Sequence, residues 1–446
     1  MTIDSYNNQN PDKLEKNLYD LNFLISKKKI PIDSCYIFEN LNIPNILLEV
    51  TFNIPGLPKK CIKDAFYSIT YLLEYNNSEN ISKSQFYKIS FQKSGILDFI
   101  IKNINSNIND STLHAVSLLT SFTWGNSDFS PAFFDQIGLH ISQFINSFYQ
   151  FDKDANDKEN EELRKSVTQL IYTLSFSIPS DDVAFFFYTY ADFVLHMNNG
   201  NEEYPCDRTR ILHILDNVAC FKQSLNSIYN NQLIIKLLNK VFTSDVLQDI
   251  KVGMKIIKSL IDNNFDLTKQ FSLYNFFELI YENDSYVVDI ACEFIRSYLG
   301  SKPNSIELGL AMNVIEYFKV AYKNFGYQTK MQLVKTLCLI IKVGTTQNLT
   351  TIVKEKLVEI LVDALDFDND QIVIAVLESL CIIWKMKPVY DSNHINIALQ
   401  VFDECEGSEK FRSLNYDDEN VNKISKQFFE LFENVLDINE ADPSNF

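Results

Sequence analysis

The residues able to do chemistry are numerous but scattered. Cys35, Cys61, Cys206, Cys220, Cys292, Cys338, Cys381 and Cys405 form no CxxC pair, and the five histidines lie far apart. A zinc site needs thiolates and imidazoles gathered at short spacings, so no metal site is expected. Cys292, Cys338 and Cys381 stand among apolar residues at helical spacing and read as small core residues. Reduced, buried thiols are the expectation for the set, because disulfide frameworks belong to short secreted chains. Carboxylate pairs such as Asp181/Asp182 and Asp417/Asp418 have the composition of an acid–base dyad, yet each opens an apolar run. There they suit the positive pole of a helix. No HExxH, GxxxxGK[ST], GxSxG or GxGxxG is present, and the 11 glycines are dispersed, so no phosphate cradle is expected. The reading is a protein that is not an enzyme and uses no cofactor.

What remains is binding. Forty Lys and Arg against 58 Asp and Glu give a net charge of −18, which disfavours nucleic acid and suits a basic partner. Hydrophobic residues make up 46% of the chain, enough for a folded core, and only 11 Gly and 11 Pro argue against a fold built from many tight hairpins. The opening MTIDSYNNQNPDKLEKN has no apolar signal region. The greasiest run, Val183–Leu195, is interrupted by Asp192 and is too short to cross a bilayer. The expectation is a soluble intracellular protein without a membrane partner.

The elements that must position a binding surface are helices. Apolar residues recur at i, i+3, i+4 and i+7 from about residue 13 to 436, without a convincing alternating strand. One helix type repeats, usually opened by Asp, Asn or Glu, with copies near Asp110, Glu162, Asp207, Asp249, Asp284, Tyr327, Asp370 and Asp418. Their steps are 52, 45, 42, 35, 43, 43 and 48 residues, centred on the armadillo and HEAT period. A second apolar helix lies between successive copies, at Pro131–Phe148, Asp181–His196, Gln232–Val241, Leu273–Tyr281, Ile306–Val320 and Asn348–Leu365. A helix pair with one apolar face buries it only against neighbouring pairs. The expected fold is therefore all-α, a right-handed α-solenoid superhelix of ARM/HEAT-like repeats. The expected organisation is a disordered tail over 1–12, about ten repeats over 13–436, and an acidic tail over 437–446. Asp152–Glu162 and Asn199–Asp207 read as solvated loops.

Three stretches carry a resemblance. Lys13–Val50 has a helix, then Pro31-Ile32-Asp33, then Ile43-Pro44 opening an apolar helix. KSGILDFI (Lys93–Ile100) and DQIGLHISQFI (Asp135–Ile145) each place a glycine, Gly95 and Gly138, before an apolar helix, where a bend between packed helices would be obstructed by a Cβ. Glu404–Val435 has a glycine, a short helix, an acidic-Asn turn and a long final helix ending in aromatics. In this order the three are similar to the first, middle and last repeats of the importin-α (karyopherin-α) family of armadillo proteins.

The resemblance implies a concave groove lined by the last helix of each repeat. In that family a Trp, and four residues later an Asn, stand on one face of that helix. The Asn side chains hold the backbone of an extended peptide, and the Trp rings form slots for Lys or Arg stems. The corresponding positions here are Tyr67/Tyr71, Ser117/Ser121, Tyr172/Phe176, His213/Asn217, Lys255/Ser259, Glu293/Ser297, Lys335/Leu339 and Glu378/Ile382. Only Asn217 keeps the Asn and none keeps the Trp. Lys255 and Lys335 would repel a basic peptide. Trp124 and Trp384 fall off the ladder and read as packing residues. Only about a dozen residues precede the first repeat, and Lys27-Lys28-Lys29 reads as a solvated helix end, so recruitment of importin-β through a basic arm is not expected. The implied function is an adaptor that binds an extended basic peptide, of nuclear localisation signal type, for protein import. It would work with nuclear transport factors, in the cytoplasm and nucleus. The alternative is a divergent armadillo scaffold for protein–protein interaction without transport.

Overall fold

The apolar periodicity becomes helix after helix in a computed structural model of the chain. The structure describes residues 10–26, 41–52, 57–73, 81–104, 110–123, 143–144, 159–197, 205–281, 284–302, 314–385, 392–414 and 418–440, and among them there is no strand. Two compact units divide the chain, Met1–Ser227 and Ile228–Phe446. The first holds α1 (Pro11–Ser26), α2 (Ile43–Phe52), α3 (Lys59–Leu73), α4 (Ile81–Lys93), α5 (Ile96–Ile104), α6 (Asp110–Thr123), α7 (Glu159–Leu174), α8 (Asp181–Met197) and α9 (Pro205–Val218). The division falls within α10 (Lys222–Asn230). The second unit holds α11 (Gln232–Val241), α12 (Leu247–Asp262), α13 (Leu273–Leu279), α14 (Ser285–Ser301), α15 (Val314–Asn324) and α16 (Tyr327–Val343). It continues with α17 (Thr346–Lys354), α18 (Val358–Asp363), α19 (Asp370–Lys385), α20 (Ser392–Glu404), α21 (Gly407–Arg412) and α22 (Glu419–Glu440).

Within the first unit, α3, α6, α7 and α9 pack in succession. In the second, α12, α14, α16, α19 and α22 do the same. These are the repeating helices of the sequence, and the others pack onto them: α1 and α2 on α3, α5 on α6, α8 on α9, α13 on α14 and α15 on α16. A row helix flanked on both sides needs apolar residues nearly all round. In α14, Val287, Val288, Ala291, Cys292, Phe294, Ile295 and Leu299 are all buried. Each large side chain so buried contributes roughly 1.5–3 kcal/mol. On α14 only a narrow strip around Glu293 and Ser297 is left facing outward, and the corresponding positions of the row helices carry the candidate site.

Short polar side chains start the helices as their types predict. Asp284 accepts the Val287 N–H at 3.2 Å, and Asp418 accepts those of Asn420 and Val421 at 2.8 and 2.9 Å. Gly95 takes φ +76° between α4 and α5, a left-handed bend open to glycine. At Gly407, in the last-repeat stretch, a Cβ would stand 2.7 Å from the Phe402 ring.

Several expected boundaries shift. The end of the stretch read as a 1–12 tail is helical: α1 starts at Pro11, a residue suited to the first helical position, with the Asn10 side chain accepting the Lys13 N–H at 3.1 Å, and residues 1–9 lie outside the described residues. Glu159–Glu162, read as loop, are the first turn of α7. Pro205–Asp207, also read as loop, open α9. α22 runs to Glu440, into the stretch read as an acidic tail, and residues 441–446 lie outside the described residues. Asn348–Leu365 is two helices and a 3-10 turn, because Lys356 adopts φ 56° between α17 and α18. Of the predicted Ile306–Val320 helix, the described part is α15, which continues to Asn324. Pro31-Ile32-Asp33, Lys27-Lys28-Lys29, Trp124, Gly138 and nearly all of Pro131–Phe148 lie outside the described residues.

Trp384 is buried and packs its ring against Phe402, Phe428 and Phe432 at centroid distances of 6.0, 6.2 and 6.3 Å. Cys292, Cys338 and Cys381 are buried as read, and burial pushes their thiols up to about 12, about 12 and about 11, so they stay protonated and unreactive. The expectation of buried thiols fails at Cys220, which is exposed in the turn after α9 where no helix covers it.

Candidate peptide-binding face

The ladder positions other than Phe176 fall on the row helices in both units, and their environments differ from position to position. On α3, Tyr67 and Tyr71 are 42% and 50% exposed, while Ala65, Ile69 and Leu72 bury the opposite side. The Lys63 ammonium stands 5.7 Å from the centre of the Tyr67 ring, so the ring face already holds a cation. The neighbouring Phe66 ring meets the imidazole of His114 on α6 at 4.5 Å.

Ser117 on α6 is half-buried, but Ser121 is only 4% exposed. It is closed off because α6 is held between α3 and α7, and it offers nothing to a ligand. On α7, Tyr172 meets Phe176 edge-on at 5.0 Å and His213 of α9 at 5.6 Å. Burial raises the Tyr172 hydroxyl above the usual tyrosine range, opposed by the nearby Arg210 charge. Phe176 sits on a 3-10 turn, Ser175–Ser177, beyond the end of α7, and is 58% exposed. Asn217 donates its amide to the Ser175 hydroxyl at 2.8 Å. The one Asn of the ladder therefore ties its repeat to the preceding one. Tyr172, Phe176, His213 and Asn217 are brought together, with Tyr67 and Tyr71 on another helix of the same row.

In the second unit the strip is ionic. Lys255 on α12 is exposed, and Ser259 is half-buried with its carbonyl accepting the Asn263 amide at 2.8 Å. Glu293, the next ladder position, stands on α14. It is already neutralised by Lys258 of α12 at 3.1 Å, and Lys258 also pairs with Asp262. The Asp262 hydrogen bond and then Glu293 hold the Lys258 ammonium above the usual lysine range. Ser297 is exposed. Lys335 of α16 and Glu378 of α19 border a groove of about 470 Å³, together with their ladder partners Leu339 and Ile382 and with Ile424 and Gln427 of α22.

Sequence reasoning missed three residues of this face. Arg296 reaches from α14 to α16, its Nη1 donating to the Gln332 carbonyl at 3.1 Å and the Thr336 hydroxyl at 2.9 Å, and its Nη2 to Gln332 Oε1 at 2.8 Å. A lone arginine inside an apolar helix was its signal. Lys342 and Lys385 line the groove. Each stands seven residues after a ladder position, two turns along the same face.

Comparison with known proteins places the fold. No protein-family model and no curated protein sequence matches the chain. Solved structures do. An engineered protein superposes with a TM-score of 0.58 at 14% identity, covering 95% of this chain and 96% of its own. A chain from a structure of the interaction between cadherin and beta-catenin, studied for its phosphorylation switch, superposes with a TM-score of 0.59 at 11% identity, covering 94% and 77%. A designed armadillo repeat protein covers 58% of this chain and 98% of its own at 13% identity, with a TM-score of 0.41 that carries no weight. The fold is an armadillo-type α-solenoid. At these identities the likeness concerns the fold alone. Within the armadillo fold, the row helices supply the outward strip on which the ladder residues stand. Among the described residues, no group of three or more His, Cys, Asp or Glu side chains is placed to hold a metal ion, and no helix is long and apolar enough to cross a membrane.

Proposed function

We propose that the chain is a protein-binding, non-enzymatic adaptor that takes an extended segment of another protein along its row helices. In the first unit we assign that segment a basic character, of the nuclear localisation type, as in importin-α-like cargo carriage between cytoplasm and nucleus with nuclear transport factors. The observation that carries this is the Tyr67/Tyr71 pair, two exposed rings one turn apart on a helix whose opposite side, at Ala65, Ile69 and Leu72, is buried. A cation already rests over one of them. Rings so placed are slots for Lys and Arg stems, and the net charge of −18 favours their approach.

The test is fluorescence anisotropy of a labelled basic localisation peptide with the full chain at low salt, where charge attraction is least screened. Binding that weakens about tenfold in Tyr67→Ala/Tyr71→Ala supports the reading; no binding at low salt ends it. A second reading, a scaffold without transport, is favoured by one specific observation: the Asn217 amide is committed to Ser175. Co-purification from cells decides between them. Transport receptors among stable partners favour carriage, and a stable complex lacking them favours the scaffold.

A further inference from the structure

The strip on the second unit carries a charge that a basic ligand would not tolerate. Lys335 and Lys342 lie seven residues apart on α16, and Lys385 stands in the last turn of α19. All three border the groove of about 470 Å³, and Glu378 is the one acidic residue lining it. Its walls also include apolar Leu339, Ile382 and Ile424, the protonated thiols of Cys338 and Cys381, and the uncharged polar side chains of Ser379 and Gln427.

The lysines of this groove differ from three of the five that line another cavity of the same unit. A larger cavity of about 600 Å³ is also lined by lysines, but there Lys319 pairs with Glu355 at 3.7 Å, Lys356 with Glu404 at 3.7 Å and Lys410 with Asp366 at 2.8 Å. Those charges are answered within the fold. Lys335, Lys342 and Lys385 make no ion pair among the described residues. The helix dipole accounts for Lys342 and Lys385, which sit at C-terminal turns. It does not account for Lys335, which is mid-helix and half-buried. A half-buried ammonium without an ion pair among the described residues, in a groove where three lysines face one carboxylate, Glu378, leaves an excess of positive charge for an anionic ligand to meet.

We infer that this groove docks an acidic, extended segment of a partner protein. In an extended chain alternate side chains point to opposite sides. One set, apolar, enters between Leu339, Ile382 and Ile424; the neighbouring carboxylates meet Lys335, Lys342 and Lys385. The inference rests on the reading of the row helices as a peptide-binding face, and it gives the second unit a ligand of opposite charge to that of the first.

The experiment uses the full chain and three short fluorescent peptides: one alternating Asp or Glu with Leu, one with every acid replaced by Gln, and one with every acid replaced by Lys. The acidic peptide is expected to bind with an affinity that falls as salt rises. Lys342→Glu/Lys385→Glu, both at exposed positions and so compatible with folding, should weaken it by about tenfold or more, and adding Lys335→Glu should weaken it further. Tyr67→Ala/Tyr71→Ala should leave it unchanged. The proposal is overturned if the acidic peptide fails to bind at low salt, if Lys342→Glu/Lys385→Glu binds it as well as the parent, or if the Gln or Lys peptide binds this groove as tightly. Loss of acidic binding with basic-peptide binding intact removes this inference alone; failure of both peptides removes the reading of the face itself.

Discussion

The outward strips of the two units are built on the same scaffold and answer different needs. In the first, repeats are joined across the strip by rings and neutral hydrogen bonds: Phe66 to His114, Tyr172 to His213, Asn217 to Ser175. In the second they are joined by charge: Lys251 to Asp284 at 2.6 Å, Lys258 to Glu293 at 3.1 Å, and Arg296 to Gln332 and Thr336. The Coulomb links leave some charges answered and others open, whereas the aromatic links leave ring faces open. The contrast teaches that a solenoid can keep one packing scheme beneath a surface whose chemistry changes along its length. The buried sides of the row helices are fixed by their neighbours; the outward side is free to vary.

That contrast can be broken by substitution. The largest effect should come from Trp384→Ala, which empties the ring cluster with Phe402, Phe428 and Phe432 and should cost about 3–5 kcal/mol in chemical denaturation. A Trp serving a ligand would give a binding loss with little change in stability. Next is Arg296→Met. It removes three donors and leaves the partly buried Gln332 carbonyl without this donor, for a loss of about 2–3 kcal/mol. If the loss is near zero, the ionic joining of the second unit is ornamental.

Asn217→Ala separates structure from recognition in the first unit. Losing the bond to Ser175 should cost about 1 kcal/mol of stability. Unchanged stability with weakened basic-peptide binding would return Asn217 to the ladder role its spacing suggested.

The smallest effect concerns Asp289 on α14. Burial raises its carboxyl above the ordinary aspartate range, and its Oδ1 is buried without a hydrogen-bond partner among the described residues. A carboxyl raised on folding disfavours the native state once pH climbs through its folded value. Asp289→Asn should therefore stabilise the protein at neutral pH, by less than about 1 kcal/mol because the group is only half-buried. The advantage should vanish below the ordinary aspartate range, where the parent carboxyl is protonated in both states. Paired melts at neutral and acid pH measure it; a constant difference would mean that titration is not its cause.

Much of the fold was legible in advance because it depends on local regularities. Copies starting near Asp110, Tyr327 and Asp370 coincide with the first residues of α6, α16 and α19, since an apolar stripe and a polar opening residue act within a single helix. Trp384 read as a packing residue for the same reason. Boundaries were less legible where a helix starts inside a polar run, as at Glu159 and Pro205, or breaks inside an apolar one, as at Lys356. The candidate site was the least legible. Ser121 and Glu293 had plausible types and spacing, yet one is closed off by neighbouring helices and the other is paired with Lys258.

By itself the sequence determined the class of the fold and the period of its repeats, because hydrophobic spacing dictates which side of a helix must be covered. Tertiary structure alone decided what each outward residue meets. Asn217 finds Ser175, and Arg296 finds Gln332 and Thr336, across separations of 42, 36 and 40 residues. No local pattern records a partner so distant. Lys335, Lys342 and Lys385 came to line one groove only when α16 and α19 packed side by side, because charge acts through space and the spacing that matters there is between helices.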